Sequence, residues 1–170
     1  MSEQNINEIF DCGVKDFVAN NISQSIEAFT EVIAHDPRHR LAYSSRGVAF
    51  LRMERVQDAL HDFDHAVELA PGHAKSYHLR GLAHEKLGDI EHAVKDFDEA
   101  IRLDPHYGAA YYSRSTLLSL MGDIDQAFED LQMYTSLTEE NLNEFMAENN
   151  VWHSRQLNLE ETGVADVMDR

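Results

Sequence analysis

Apolar and polar residues alternate along this chain at helical spacing, and the whole pattern recurs with a period of about 34 residues. The stretch from Arg40 to Tyr107 holds two consecutive copies of the pattern. Positions that are identical in the two copies include Tyr43 and Tyr77, Gly47 and Gly81, Ala59 and Ala93, Phe63 and Phe97, Ala66 and Ala100, and Pro71 and Pro105. A fixed period of this length predicts a solenoid of stacked helical repeats.

Each unit is predicted to contain two short helices that pack against each other. In the second unit, Tyr43, Gly47 and Phe50 share one face of the first helix. The apolar face of the second helix consists of Ala59, Phe63, Ala66 and Val67. Because glycine and alanine are small, the two backbones can approach closely. Pro71 then ends the second helix, since proline cannot continue the hydrogen-bond ladder.

The period predicts a single domain over residues 1–157, followed by a flexible acidic tail at 158–170. Its four units span residues 6–39, 40–73, 74–107 and 108–141. In the fourth unit Glu139 replaces the terminal proline, and Thr138 resembles a helix N-cap. A capping helix is therefore predicted at about 139–156, with an apolar stripe formed by Leu142, Phe145, Met146 and Trp152.

This spacing of Tyr, Gly, Ala, Phe, Ala and Pro resembles the tetratricopeptide repeat family. The resemblance implies an all-α fold, a right-handed superhelical solenoid of stacked antiparallel helix pairs with a C-terminal capping helix. It also implies a protein–protein interaction module or adaptor that holds a peptide or helical segment of a partner in its concave groove. In this family the first helix of each unit lines the groove.

Carried onto this chain, the groove positions combine apolar residues with a few bases, and Glu85 is the one acidic residue among them. The predicted partner-binding residues are Phe10, Val14, Val48, Arg52, Lys75, Leu79, Leu82, Lys86, Tyr112 and Thr116. Such a surface suits a protein or peptide segment that bears acidic residues. The competing interpretation is that several of the apolar residues pack within the stack.

The chaperone-binding members of this family resemble one another in a two-carboxylate clamp. The clamp consists of a Lys and an Asn in the first helix of one repeat, an Asn in the next repeat, and a Lys and an Arg in the third. The matching positions here hold Phe10, Val14, Ser45, Lys75 and Leu79, and Lys75 alone fits. A bound carboxylate needs paired charged and amide donors to offset its desolvation. The sequence therefore argues against a co-chaperone of that kind.

Net charge narrows the class of partner. With 14 Lys and Arg against 31 Asp and Glu, the formal charge is −17, which disfavours nucleic acid and anionic membrane surfaces. No apolar run approaches the ~20 residues needed to span a bilayer. The single cysteine, Cys12, excludes an intramolecular disulfide, so a cytoplasmic location is expected.

The search for catalytic or metal chemistry predicts no enzyme, no cofactor and no metal site. Cys12 is predicted to be a packed thiol, since Arg occupies its equivalent positions in the later units. His84 begins a zinc-protease-like motif, but Gly88 stands where the second histidine is required. His61 and His65 are predicted to lie on a solvated face. His39, His73 and His106 lie in the loops after the prolines and are predicted to be solvent-facing residues. The alternatives are that they are metal ligands or that a stacked row of them senses pH.

Comparison of the units with each other predicts three ion pairs between paired helices. An arginine in the first helix recurs together with an aspartate in the second helix, and the first unit lacks both. The predicted pairs are Arg46 with Asp62, Arg80 with Asp96, and Arg114 with Asp130. The alternative is that these residues are separate solvated charges.

A second class of function stays open beside the interaction module. It is a self-assembling structural scaffold that forms homo-oligomers through the ends of the array or through the tail.

Overall fold

Eight α-helices form four consecutive pairs in the computed structural model, which describes residues 3–148 and the side chains of residues 4–142. The helices are α1 (Glu3–Val18), α2 (Ile22–His35), α3 (Arg40–Arg52), α4 (Val56–Leu69), α5 (Ala74–Lys86), α6 (Ile90–Leu103), α7 (Gly108–Met121) and α8 (Ile124–Glu148). Each helix packs against the next, and the first helices of neighbouring units also touch. The fold is therefore an all-α solenoid of stacked antiparallel helix pairs.

Small residues let the two helices of each unit approach until one aromatic ring lies against a glycine backbone. Phe63 and Phe97 are fully buried beside Gly47 and Gly81. A Cβ atom at Gly81 would lie 2.5 Å from Cε1 of Phe97, closer than real contacts allow. The glycine of the repeat is thus required by close packing.

The turn between the helices of each unit uses one residue in the left-handed region. These residues are Asn20, Glu54, Gly88 and Gly122, at equivalent positions of the four units, with φ of 64°, 58°, 78° and 87°. Glycine adopts this conformation without steric cost, and asparagine tolerates it. Glu54 is the residue that bears the largest backbone strain of the four.

All three predicted ion pairs between paired helices are confirmed. In each, the arginine Nε and Nη2 donate to both carboxylate oxygens of the aspartate in the same unit, at 2.6–2.9 Å. The remaining Nη1 donates to a residue of the preceding unit, which the sequence comparison did not anticipate. Those acceptors are Thr30 for Arg46, Asp64 for Arg80 and Asp98 for Arg114.

The start predicted for the capping helix is wrong, because α8 runs without a break through Thr138 and Glu139. The Thr138 hydroxyl donates to the Tyr134 carbonyl inside the helix and does not act as an N-cap. Because Glu139 stands where a proline follows the other second helices, the backbone hydrogen bonds of α8 can continue past this position. Residues 149–156 of the predicted cap, the side chains of Phe145 and Trp152, and the tail at 158–170 lie outside the described part.

Two further observations concern membranes and the thiol. None of the helices described between residues 3 and 148 is both long and apolar enough to cross a bilayer. Cys12 is exposed, so the prediction of a packed thiol is wrong. The arginine at the equivalent position reaches the second helix through its long side chain, as Arg46 does to Asp62. Cysteine is too short to span that distance, and it stays at the surface.

Candidate functional site

An apolar pocket of about 350 Å³ opens between the first helices of the first three units. Its apolar lining consists of Val14, Phe17, Phe29, Leu41, Val48 and Leu79. The polar lining consists of Arg40, Ser44, Ser45, His73 and Lys75. Helices α1, α3 and α5 supply most of these residues, so the stacking of successive units creates the pocket. A cavity of this size and composition matches the lower range of ligand sites in proteins.

Two cations border the pocket at the N-terminal ends of α3 and α5. Arg40 is the first residue of α3, and Lys75 is the second residue of α5. Neither has an acidic partner within ion-pair distance among the side chains of residues 4–142. The pKa of His73 is lowered by burial and then by the charges of Arg40 and Lys75. This end of the pocket therefore carries two cations that no described carboxylate pairs with, on a chain of net charge −17.

The pocket also contains a buried hydroxyl without a partner. Ser44 is 8% exposed, and its Oγ makes no hydrogen bond to any described protein atom. Leaving a buried hydroxyl unpaired costs on the order of 1–3 kcal/mol, so such groups are uncommon. Nearby, Nδ1 of the His73 ring lies within hydrogen-bond distance of the Ser76 hydroxyl oxygen, at 3.0 Å.

Four of the residues predicted from the sequence line this pocket: Val14, Val48, Lys75 and Leu79. They come from three different units, which the solenoid brings together. Val48 and Leu79 also pack against the core around Phe63. The competing interpretation, in which groove residues pack within the stack, therefore describes part of their surface.

The other two predicted basic residues have intramolecular partners. The Arg52 guanidinium lies over the Phe17 ring, 4.9 Å from its centroid. Lys86 Nζ lies 3.9 Å from the Glu54 carboxylate. Both residues are outside the pocket, and both are exposed at the opposite end of the first helices from Arg40 and Lys75.

The four remaining predicted residues are also outside the pocket. Phe10 packs on Phe29, with ring centroids 5.5 Å apart. Leu82 packs against the core cluster of the third and fourth units. Tyr112 and Thr116 lie exposed on α7, where the Thr116 hydroxyl donates to the Tyr112 carbonyl.

Three more lining residues, Phe17, Leu41 and Ser45, occupy groove positions of the first helices. Sequence reasoning missed Phe29, Arg40, Ser44 and His73 as lining residues. Phe29 belongs to a second helix, and Arg40 and His73 lie at unit boundaries, so none of these three occupies a groove position of the repeat. Ser44 carried a usable signal, because the equivalent positions hold Phe10, His78 and Tyr112. A small polar residue at a repeat position that holds a ring in the other units indicates a gap in the packing.

The histidines that the sequence predicted to face solvent differ in their exposure. His61 is exposed, as predicted, and its ring lies 4.7 Å from the half-buried ring of His65. The loop histidines are only partly solvent-facing. His106 is exposed, but His39 is half-buried and its Nδ1 accepts from the Ala42 amide at the start of α3. His39 is therefore a helix cap.

Comparison with known proteins points to one family. Two family models described as tetratricopeptide repeat match residues 17–74 and 74–107, together more than half of the chain. A comparison with curated protein sequences gives no match.

Solved structures share the fold at low sequence identity. MamA from Desulfovibrio magneticus RS-1 is 20% identical, with a TM-score of 0.73 over 81% of this chain and 78% of that one. A thermophilic TPR protein of Thermus thermophilus, TTC0263, is 19% identical, with a TM-score of 0.71 over 79% and 75%. The first TPR of Spaghetti (RPAP3), solved bound to the HSP90 peptide SRMEEVD, is 24% identical, with a TM-score of 0.68 over 72% and 97%.

Proposed function

Because this chain belongs to the tetratricopeptide repeat family, we propose that it is an adaptor whose groove holds a peptide or helical segment of a partner protein. The observation that carries the proposal is the apolar pocket among α1, α3 and α5, bordered by Arg40 and Lys75. The peptide-bound TPR of RPAP3 is a precedent for a ligand on this fold. The partner segment is expected to bear acidic residues, because it meets cations on a chain of net charge −17.

The geometry assigns different contributions to the two kinds of lining residue. Lys75 is exposed and unpaired within the described part, so it should speed association and make binding sensitive to salt. Leu41 is 49% exposed at the pocket, so its burial by a partner should lengthen the lifetime of the complex. Affinity around micromolar is common for a segment that orders on binding.

The test is capture of partners from native lysate with the full chain and four variants. Lys75→Glu and Leu41→Glu alter the pocket, while Lys95→Glu and Val18→Glu change the same residue classes at exposed positions outside it. A partner that uses the groove should bind the first two variants at least about tenfold more weakly and the controls as wild type does. If every captured protein binds the pocket variants as well as wild type, the groove is not the binding site.

Self-assembly is the second candidate, and exposed apolar residues at the end of the array favour it. Leu120, Met121, Ile124 and Phe128 lie on the last helix pair and are between 58% and 74% exposed. Among the described residues no further helix packs on this face, and a second copy of the chain could cover it.

A further inference from the structure

Ring pairs fill the space between neighbouring units at one repeat position, and Ser44 interrupts the series. The position is occupied by Phe10, Ser44, His78 and Tyr112 in the four units. The Tyr112 ring lies 5.2 Å from the ring of Tyr134 in its own unit. The Phe10 ring lies 5.1 Å from the His39 ring, and the His78 ring lies 5.2 Å from the Tyr107 ring. In both cases the partner ring stands at the boundary with the next unit, immediately before its first helix.

Where the position holds a histidine, the space is occupied and the polar atoms are satisfied. His78 is buried, with Nε2 3.0 Å from the Ser113 hydroxyl and Nδ1 3.2 Å from the Tyr107 hydroxyl. Burial, and then the charge of Lys75, lowers the pKa of His78 to about 4, so the ring is neutral at pH 7. A neutral imidazole has one donor and one acceptor, which these two hydroxyls match.

Where the position holds Ser44, the equivalent space is part of the pocket. The partner ring of the series is His73, which also immediately precedes a first helix, and both Ser44 and His73 line the pocket. The serine side chain lacks a ring, and its buried Oγ has no partner among the described atoms. The pocket thus lies where the repeat pattern has lost one ring, and the apolar side chains that line it are left for another molecule to cover.

The edge of this space is suited to a negative charge. Arg40 Nη1 lies 3.4 Å from His73 Nδ1, and Lys75 follows His73 closely in the chain. The N-terminal ends of α3 and α5, whose dipoles favour anions, lie at the same edge. Among the described side chains, no carboxylate forms an ion pair with Arg40 or Lys75.

We infer that this pocket is a subsite for one aromatic side chain of a partner segment, with a carboxylate-bearing residue beside it. The ring takes the place that Phe10 and His78 fill in the neighbouring units. The carboxylate lies between Arg40 and Lys75. The inference rests on the proposed function and specifies the chemistry of the segment that the groove holds.

The probes are three short peptides that separate the ring from the charge. They are Ac-Glu-Phe-Glu-NH2, the isosteric neutral Ac-Gln-Phe-Gln-NH2, and Ac-Glu-Ala-Glu-NH2, which has no ring. Each is titrated into the 15N-labelled full chain while amide resonances of pocket residues are followed by NMR. The first peptide should bind about fivefold or more tightly than the other two, the size expected of an exposed charge pair or of one partly buried ring.

Variants then assign the effect to the pocket. Ser44→Phe introduces the ring that Phe10 supplies one unit earlier, and Ser44→His introduces the ring of His78. Either should abolish peptide binding while the melting temperature stays equal or rises, because a gap is filled. Arg40→Gln and Lys75→Gln should remove the preference for Glu over Gln, whereas Lys95→Gln, at an exposed position of α6 outside the pocket, should keep it.

Several outcomes would overturn the inference. Equal binding of the Glu and Gln peptides removes the anion subsite, and undiminished binding by folded Ser44→Phe or Ser44→His removes the ring subsite. Absence of any shift at pocket residues overturns both. A captured partner that is lost with Leu41→Glu but retained with Ser44→Phe and Ser44→His would leave the proposed function standing and refute the subsite alone.

Discussion

Three arginines, Arg46, Arg80 and Arg114, form hydrogen bonds both to the second helix of their own unit and to the preceding unit. Arg80 illustrates the arrangement, since it holds Asp96 of its own unit with two hydrogen bonds and Asp64 of the preceding unit with a third. Its pKa is raised chiefly by the hydrogen bond to Asp96, so the guanidinium stays charged. Asp96 is nearly buried, which makes an unpaired charge there costly.

Removing one partner of this buried pair should therefore destabilise the chain strongly. Asp96→Ala and Arg80→Ala should each lower the free energy of unfolding by about 2–4 kcal/mol, and the double variant should lose much less than the sum. Arg102 and Glu99 form a matched surface pair at 2.6 Å, and Arg102→Ala should leave the unfolding free energy close to that of wild type. Urea unfolding of the set measures these values, and strict additivity at Arg80 and Asp96 would refute the coupling.

Helix pairs depend on the approach of a glycine backbone to an aromatic ring. Gly81 is buried against Phe97, and an added Cβ would also lie 3.2 Å from the Ala93 carbonyl oxygen. The ring could turn aside, but the backbone carbonyl of α6 is fixed by its helix. The contact explains why glycine recurs at this repeat position in the first three units.

Gly81→Ala should accordingly push α5 and α6 apart. The expected loss is about 1–3 kcal/mol of unfolding free energy, as for other overpacked cores. Gly72→Ala is the control, because a Cβ at Gly72 meets nothing within 4 Å, and its effect should stay within about 0.5 kcal/mol. Denaturation followed by far-UV circular dichroism compares the two. Equal stability of both variants would show that the ring and helices adjust without cost.

At the scale of the whole molecule, the two ends of the array differ from its middle. The middle units are covered on both sides, whereas α8 exposes Ile124 and Phe128 at 62% and 60%. Contiguous apolar surface at the end of a solenoid is a common site of association. The charge of −17 opposes contact between copies at low ionic strength.

The self-assembly alternative therefore predicts a mass that rises with both protein concentration and salt. Light scattering over a concentration series should show this rise for the full chain and its suppression in Phe128→Glu. Val18→Glu is the control, since Val18 is 80% exposed at the end of α1. A single monomer mass at every concentration and salt would remove self-assembly, and the interaction module would remain.

The sequence by itself determined the repeat and what lies within each unit. Residues that recur at the repeat spacing predicted the helix pairs. The pairing of Arg80 with Asp96 was predicted because an arginine and an aspartate recur together in three units. Such features are readable because contacts inside a unit repeat with the period. Lys75 and Leu79, which the family resemblance placed in the groove, both line the pocket.

Only the tertiary structure decided how one unit meets the next. The bond from Arg80 to Asp64, the exposure of Cys12 and the pocket at Ser44 depend on the rotation and spacing between stacked units. That rotation results from the packing of many side chains at once, so no single repeat position specifies it. Similarly, the absence of a proline at residue 139 permits α8 to continue, and only the structure shows that it runs unbroken to Glu148.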